Sequence, residues 1–364
     1  MSSTNHNYCI IMAGGIGSRF WPISREGRPK QFLTFSKSGK SFLRLAYERL
    51  KNIFPAGNIL VVSLTRYRDQ VFADIPELPE DNLLLEPYNR NTAPCLAYAT
   101  YVLLSRDSEA VAVAVPADQS IDDYDLYRQT VLKGLVYAAE YGKIMTLGIV
   151  PTRPDSNFGY IQMAEEPKGG RPVKVKTFTE KPDKELAKVF IDSGEFLWNA
   201  GIFICKASVF KDELEKHAPE IASLWKGWER VMGTAEERHF VDKVYTECPR
   251  ISIDYAVMEK SSNVMTIPSN FGWADIGNWE SFYEYLVGRD ENGNAVRSRG
   301  KKLIQDNSRT IIYSTTGEKL VAVKGLEDYV VVDTDEILMI CPRDEDKLRE
   351  FITELAMPDF QEYR

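Results

Sequence analysis

Short apolar runs rich in β-branched residues punctuate the first half of the chain: Tyr8-Cys9-Ile10-Ile11-Met12, Ile59-Leu60-Val61-Val62, Leu83-Leu84-Leu85, Val111-Ala112-Val113-Ala114-Val115 and Met145-Thr146-Leu147-Gly148-Ile149-Val150. Their length and composition predict strands. The stretches between them at residues 41–51, 93–104 and 126–141 carry apolar positions at helical spacing instead, so strand and helix alternate. That alternation predicts an α/β fold, a doubly wound, mostly parallel, Rossmann-like sheet. The runs are apolar without interruption, as a sheet covered by helices on both faces requires.

The texture changes after Tyr285. Gly288-Arg289-Asp290-Glu291-Asn292-Gly293-Asn294 is polar and glycine-bearing, which marks the entry into a second unit. The expected division is a large α/β domain over 1–287 and a small β-rich domain over 288–364. Short strand-like runs follow at Lys302-Leu303-Ile304, Thr310-Ile311-Ile312-Tyr313, Leu320-Val321-Ala322-Val323, Tyr329-Val330-Val331-Val332 and Ile337-Leu338-Met339-Ile340. Their spacing is too irregular for a strict repeat but compatible with the stacked coils of a β-solenoid or a small all-β unit. Residues 344–355 then close the chain as an amphipathic helix with Leu348, Phe351, Ile352 and Leu355 on one face.

Composition narrows the function classes. No stretch approaches the ~18 uninterrupted apolar residues of a membrane span, and glycines at 14, 15 and 17 break the apolar core a signal peptide would need. A cytoplasmic protein with no membrane association is expected. The net charge of -8 argues against a broad nucleic-acid-binding face, which needs clustered Lys and Arg. The five cysteines, Cys9, Cys95, Cys205, Cys248 and Cys341, are scattered and lack C-x-x-C spacing. Four of them sit in or beside apolar runs, where buried free thiols are expected.

Chemistry concentrates directly after the first predicted strand. Met12-Ala13-Gly14-Gly15-Ile16-Gly17-Ser18-Arg19-Phe20-Trp21-Pro22 leads to Arg25, Arg28 and Pro29-Lys30-Gln31-Phe32-Leu33. Glycines at the carboxyl end of a parallel strand let backbone N–H groups approach an anion, and a nucleotide phosphate is the natural guest. A dinucleotide fingerprint would need Gly at position 20, where Phe20 stands, and no Walker lysine exists. A tight ligand-free turn is the competing reading. Arg19, Arg25, Arg28 and Lys30, clustered beside the loop in an acidic chain, favour a triphosphate.

G-G-x-G-x-R-x-W-P-x-S-R followed by P-K-Q-F-L resembles the signature of the sugar-1-phosphate nucleotidyltransferases, and its W-P-x-S-R and P-K-Q-F variants resemble the mannose-1-phosphate guanylyltransferase branch. Further motifs follow in family order across residues 12 to 279: Glu86-Pro87-x-x-Arg90-Asn91-Thr92-Ala93-Pro94, Pro116-Ala117-Asp118, Gly159-Tyr160-Ile161, Phe178-x-Glu180-Lys181-Pro182, Trp198-Asn199-Ala200-Gly201, Asp254-Tyr255-x-x-Met258-Glu259-Lys260 and Gly272-Trp273-x-Asp275-Ile276-Gly277.

The resemblance implies transfer of GMP from GTP to mannose 1-phosphate, and a left-handed β-helical appendage after about residue 288. That appendage would pack on the catalytic domain or on another subunit, the latter giving a homodimer. Some members continue into a phosphomannose isomerase domain; a sequence ending at Arg364 is expected to be monofunctional. The same chemistry on a heptose or another hexose 1-phosphate is the near alternative. A silent nucleotide-sugar-sensing homologue belongs to a different class.

The attacking phosphate monoester is already anionic at neutral pH, so no general base is needed. His6, His217 and His239 accordingly lie outside every motif. What the reaction needs is cations. By resemblance, Arg19 binds the triphosphate and Lys30 contacts the α-phosphate or leaving group, while Ala13, Gly14, Gly15, Gly17 and Ser18 cradle phosphate. Mg²⁺ would be held by Asp118 and Asp275, hard oxygen ligands. Asp118 is also a candidate helix cap, a task Asp122 or Asp123 would serve equally well. Glu86, Asn91 and Thr92 would meet the guanine base, although Asn91 or Thr92 also suits a helix cap. Gly159, Tyr160, Glu180, Lys181 and Asn199 would bound the sugar phosphate, with Glu180 and Asn199 on vicinal hydroxyls and Lys181 on the phosphate.

Overall fold

The computed structural model describes residues 6–15, 17–35, 38–167, 169–285, 288–355 and 357–363. Ile16 of the glycine loop and residues 286–287, beside the expected domain junction, lie outside the described residues. In chain order the strands of the larger part are β1 (Asn7–Met12), β2 (Ile59–Leu64), β3 (Leu83–Glu86), β4 (Val111–Pro116), β5 (Gln119–Ile121), β6 (Ile144–Ile149), β7 (Tyr160–Met163), β8 (Val173–Thr179), β9 (Phe196–Lys206), β10 (Val264–Ser269) and β11 (Trp273–Asp275). All five predicted apolar runs are strands. Residues 41–51, 93–104 and 126–141 overlap the helices Phe42–Lys51, Thr92–Arg106 and Tyr124–Tyr141.

The chain forms two compact units, each assembled from separate segments: residues 1–14, 43–117 and 121–273 in the first, and 15–42, 118–120 and 274–364 in the second. The first unit is a nine-stranded sheet in the order β3-β2-β1-β4-β9-β6-β10-β8-β7. Its left half is parallel, with Ile10 beside Leu60 on one side and Ala114 on the other. The doubly wound α/β class holds, with one feature that apolar periodicity does not encode. The long strand β9 runs antiparallel between β4 and β6, aligning Ile204 with both Val113 and Met145. Every residue of β2 and β6 is buried, which explains why these strands read as continuous apolar runs. Helix Tyr124–Tyr141 starts at Asp123, whose carboxylate accepts from the Leu126 N–H at 2.9 Å, and ends at Gly142 in the left-handed region.

In the second unit, β12 (Ala295–Arg297), β14 (Ile311–Ser314) and β16 (Tyr329–Asp333) stack in parallel, while β13 (Lys302–Gln305) and β15 (Val321–Lys324) form a second parallel pair. This is the stacking of a β-helix: the chain returns to the same face one coil later. β17 (Leu338–Pro342) closes the sheet antiparallel to β16. The final helix, Glu345–Glu354, is capped by Asp344. On its apolar face Leu348 and Leu355 are buried, whereas Phe351 is 42% exposed and meets Trp21 edge-on at 6.0 Å. Phe20, Phe35, Trp279, Phe282 and Tyr313 form an aromatic core, with Phe20 and Phe35 centroids 5.1 Å apart and Phe35 and Phe282 4.6 Å apart. Each such buried ring is worth roughly 2–3 kcal/mol of burial. Phe20 is fully buried here, so the residue that breaks the dinucleotide fingerprint anchors the loop instead.

All five cysteines are free and buried, one more than the apolar runs imply; burial pushes the Cys205 thiol up to about 12. Among the described residues no helix is long and apolar enough to cross a membrane.

Candidate functional site

The expected site residues fall into three clusters. The first lies in the second unit. Gly17 sits at φ +69° and caps the short turn Ser18–Phe20. A Cβ there would stand 2.4 Å from the Lys30 Cβ, so position 17 must be glycine both for its backbone and for the lysine stem beside it. Lys30 opens the turn Lys30–Phe32 after the extended Pro29. Its side chain is buried, with the ammonium 5.9 Å from the Phe20 ring centroid and 5.7 Å from that of Phe42.

The Lys30 ammonium donates to Asp118 Oδ2 at 2.6 Å and to Asp275 Oδ1 at 3.3 Å. Burial opposes the lysine charge, but the two carboxylates outweigh it and hold the ammonium above the usual lysine range. The aspartates are open to solvent, with side chains 34% and 31% exposed. The two carboxylates that meet on this nitrogen carry hard oxygens, the donor type that Mg²⁺ takes from carboxylates, phosphates and waters. Among the described residues no group of three or more His, Cys, Asp or Glu side chains is arranged to hold a metal ion. Asp118 needs no capping role, because Asp123 caps the next helix.

Arg19 is 3.6 Å from Glu345 Oε1, and its Nη2 lies 3.6 Å from where a Gly277 Cβ would be. That places its guanidinium beside the Asp275 turn. Gly15 and Ser18 are exposed, and a Cβ on Gly15 would meet nothing within 4 Å; glycine there leaves space rather than avoiding a clash. Arg25 pairs with Glu336 and Arg28 is exposed, so neither joins the lysine cluster.

The second cluster, in the first unit, surrounds Glu86. Ala13 is buried, and its carbonyl accepts from Ser63 Oγ at 2.9 Å. The Gly14 carbonyl accepts from Asn89 Nδ2 at 3.0 Å, and a Cβ on Gly14 would lie 2.9 Å from Glu86 Oε2. Tyr245 donates to Glu86 Oε1 at 2.9 Å. Burial pushes the Glu86 carboxyl up to about 8, against the pull of that hydrogen bond. Asn91, with φ +71°, caps helix Thr92–Arg106 by accepting from the Thr92 N–H at 2.8 Å. Thr92 Oγ1 in turn accepts from the Ile253 N–H at 2.9 Å. Of the two readings left open for Asn91 and Thr92, these partners supply the architectural one. Neither Tyr245 nor Asn89 stands out in the sequence; their contributions depend on long-range pairing.

The third cluster is also in the first unit. A Cβ on Gly159 would come within 2.5 Å of Glu180 Oε2 and 3.3 Å of the Asn199 Cβ, so three of the expected sugar residues share one corner. The Asn199 N–H donates to the Gly159 carbonyl at 2.8 Å. Glu180 pairs with Lys181 at 2.8 Å. Tyr160 adjoins this corner through Gly159, but its side chain is fully buried, and its hydroxyl donates to the Asp155 carbonyl and accepts from the Asp155 N–H. Asp254, part of a motif but without an expected role, accepts from Asn199 Nδ2 at 2.8 Å. Burial first, then the Glu180 charge, pushes Asp254 up to about 6, with the Asn199 hydrogen bond opposing.

Comparison with known proteins identifies the family. The family described as nucleotidyl transferase matches residues 8–290, and the family described as the MannoseP isomerase/GMP-like beta-helix domain matches residues 300–355. A mannose-1-phosphate guanylyltransferase of Salmonella montevideo is 36% identical over 358 residues, covering 94% of this chain and 73% of that protein. One from Escherichia coli is 33% identical over 347 residues, covering 92% and 70%. A crystal structure from Thermus thermophilus, described as a mannose-1-phosphate geranyltransferase, is 30% identical with a TM-score of 0.83, covering 97% of this chain and 100% of that one.

Proposed function

The chain belongs to the nucleotidyl transferase family, and from that premise we propose that it transfers GMP from GTP to α-D-mannose 1-phosphate, giving GDP-mannose and pyrophosphate. A phosphate oxygen of the sugar phosphate bonds to the α-phosphorus of GTP, and the bond from that phosphorus to the pyrophosphate oxygen breaks. The single observation that carries this reading is the Lys30 ammonium held between Asp118 and Asp275.

A nucleophile that is already anionic needs no proton removed, and no histidine belongs to any of the three clusters. The work is to bring anions together and neutralise charge on the α-phosphate and leaving group. Lys30, rigidly set by its aromatic walls, suits the α-phosphate; Arg19 suits the triphosphate, where its planar fork binds two oxygens at once. Asp118 and Asp275 would hold Mg²⁺, which supplies charge neutralisation and orientation of phosphate oxygens when bound. Glu86 lies against Gly14 as a candidate base contact. Glu180 and Asn199, with Gly159 leaving room, suit the sugar hydroxyls, and Lys181 suits the sugar phosphate.

Names of the relatives support guanylyl transfer to mannose 1-phosphate. Pyrophosphate release measured with GTP and mannose 1-phosphate in the presence of Mg²⁺ tests it; release only with UTP or dTTP contradicts the guanylyl assignment.

A further inference from the structure

The corner shared by Gly159, Glu180 and Asn199 contains a carboxylate that the reading above leaves without a task. Asp254 opens the segment Asp254–Met258, which has π-helical geometry, a form found mostly as single turns and frequently at functional sites. The Asn199 amide is gripped at both ends: Nδ2 donates to Asp254 Oδ1 at 2.8 Å, and Oδ1 accepts from the Gly201 N–H at 3.0 Å. Turning the amide end for end would set oxygen against carboxylate and NH₂ against N–H. Both contacts would become repulsive, so the two partners select one orientation. Gly201 contributes an ordinary amide bond; Asp254 contributes the stronger charge-assisted one.

We propose that Asp254 is a positioning residue of the acceptor-sugar site, acting through Asn199 to fix the amide for a vicinal pair of sugar hydroxyls. This rests on the reading of the third cluster as the sugar site. The group is well placed to respond to pH. It faces Glu180, which repels its negative charge, and Lys181, which attracts it. The Glu259 carboxylate interacts in turn with Glu180 and with Lys260. With Asp254 pushed up to about 6, its charge, and with it the stronger grip on Asn199, is lost as the pH falls through that value.

The test is a double-mutant cycle on the full chain, with steady-state pyrophosphate release as the readout. Asp254→Asn keeps the side-chain shape and should raise KM for the sugar 1-phosphate about tenfold, with kcat and KM for GTP within about twofold. Asn199→Ala should raise the same KM, and the double variant should be no worse than Asn199→Ala alone, because Asp254 acts only through the amide. The sugar phosphate itself titrates near ~6, so the pH readout is the ratio of wild-type to Asp254→Asn kcat/KM. That ratio should fall as pH drops from 7.5 to 5.5. Melting temperatures confirm that all three variants fold. Multiplicative effects in the double variant, an equal rise in KM for GTP, or a pH-independent ratio would each overturn the proposal. A wild type that prefers another sugar 1-phosphate overturns the mannose reading alone, and the cycle is then read with that sugar. Absence of turnover with every acceptor overturns the acceptor-site reading and this proposal with it.

Discussion

The Lys30 ammonium lies 2.6 Å from Asp118 Oδ2 across 88 residues of sequence, and the same nitrogen reaches Asp275 at 3.3 Å. One buried cation thus neutralises two carboxylates that would otherwise repel. Lys30→Met removes that cation and leaves the pair unscreened. Because the aspartates are about one third exposed, the destabilisation should be about 1–3 kcal/mol rather than the ~3–5 of a fully buried pair. We expect a lower melting temperature, a larger Mg²⁺-induced rise in it than in wild type, and a kcat loss of at least ~100-fold. Thermal melts with and without Mg²⁺, beside pyrophosphate release, check all three.

Gly17→Ala meets two obstacles, a left-handed backbone and a Lys30 Cβ only 2.4 Å from the added methyl group. The backbone term costs roughly 1–2 kcal/mol, and the clash adds to it by displacing Lys30. Urea denaturation should show the loss, with kcat reduced at least ~10-fold. Gly15→Ala, whose methyl meets nothing within 4 Å, should leave stability unchanged within ~0.5 kcal/mol and change only KM for GTP.

Glu86 predicts a pH dependence of stability. Its folded carboxyl is raised to about 8 by burial, far above the ordinary value of ~4.3. The folded state therefore holds a proton that the unfolded chain releases. The stabilisation is complete below the unfolded value and is lost as pH rises through about 8. Glu86→Gln, a shape mimic of the neutral acid that still accepts from Tyr245, should match wild type near pH 5. It should exceed wild type by a few kcal/mol near pH 9. Denaturation at the two pH values checks the sign, and a wild type that loses no stability relative to Glu86→Gln would contradict a buried neutral acid.

Substitutions at Tyr160 and Glu180 test packing against the proposed recognition. Tyr160→Phe removes a hydroxyl bonded to the Asp155 backbone, which should cost about 1 kcal/mol of stability and leave KM for the sugar phosphate within twofold. Glu180→Gln should do the reverse, raising that KM about tenfold with little change in melting temperature.

Local pattern is a good guide to the units of the fold and a poor one to their assembly. The uniformly apolar β2 and β6 are legible because both faces are covered. Nothing periodic in Phe196–Lys206 says that β9 runs antiparallel between β4 and β6, since strand direction is set by tertiary pairing. The lysine cluster is readable one residue at a time, from Lys30, Asp118 and Asp275 in recurring motifs, but the convergence of both carboxylates on one nitrogen is not. The burial of the Tyr160 side chain is not legible from its motif neighbour Gly159, which borders Glu180 and Asn199, because successive residues along a strand turn to opposite faces. Asp254 stands in a motif without a legible role, because its partner Asn199 lies 55 residues away.

The most direct test of the central claim is the pyrophosphate released by the full chain across a matrix of nucleoside triphosphates and sugar 1-phosphates, with Mg²⁺ present and after its chelation. The account predicts the highest kcat/KM for GTP with mannose 1-phosphate, and loss of turnover on chelation or in Lys30→Met. A dominant rate with UTP or dTTP, or near-normal turnover without Lys30, would contradict it.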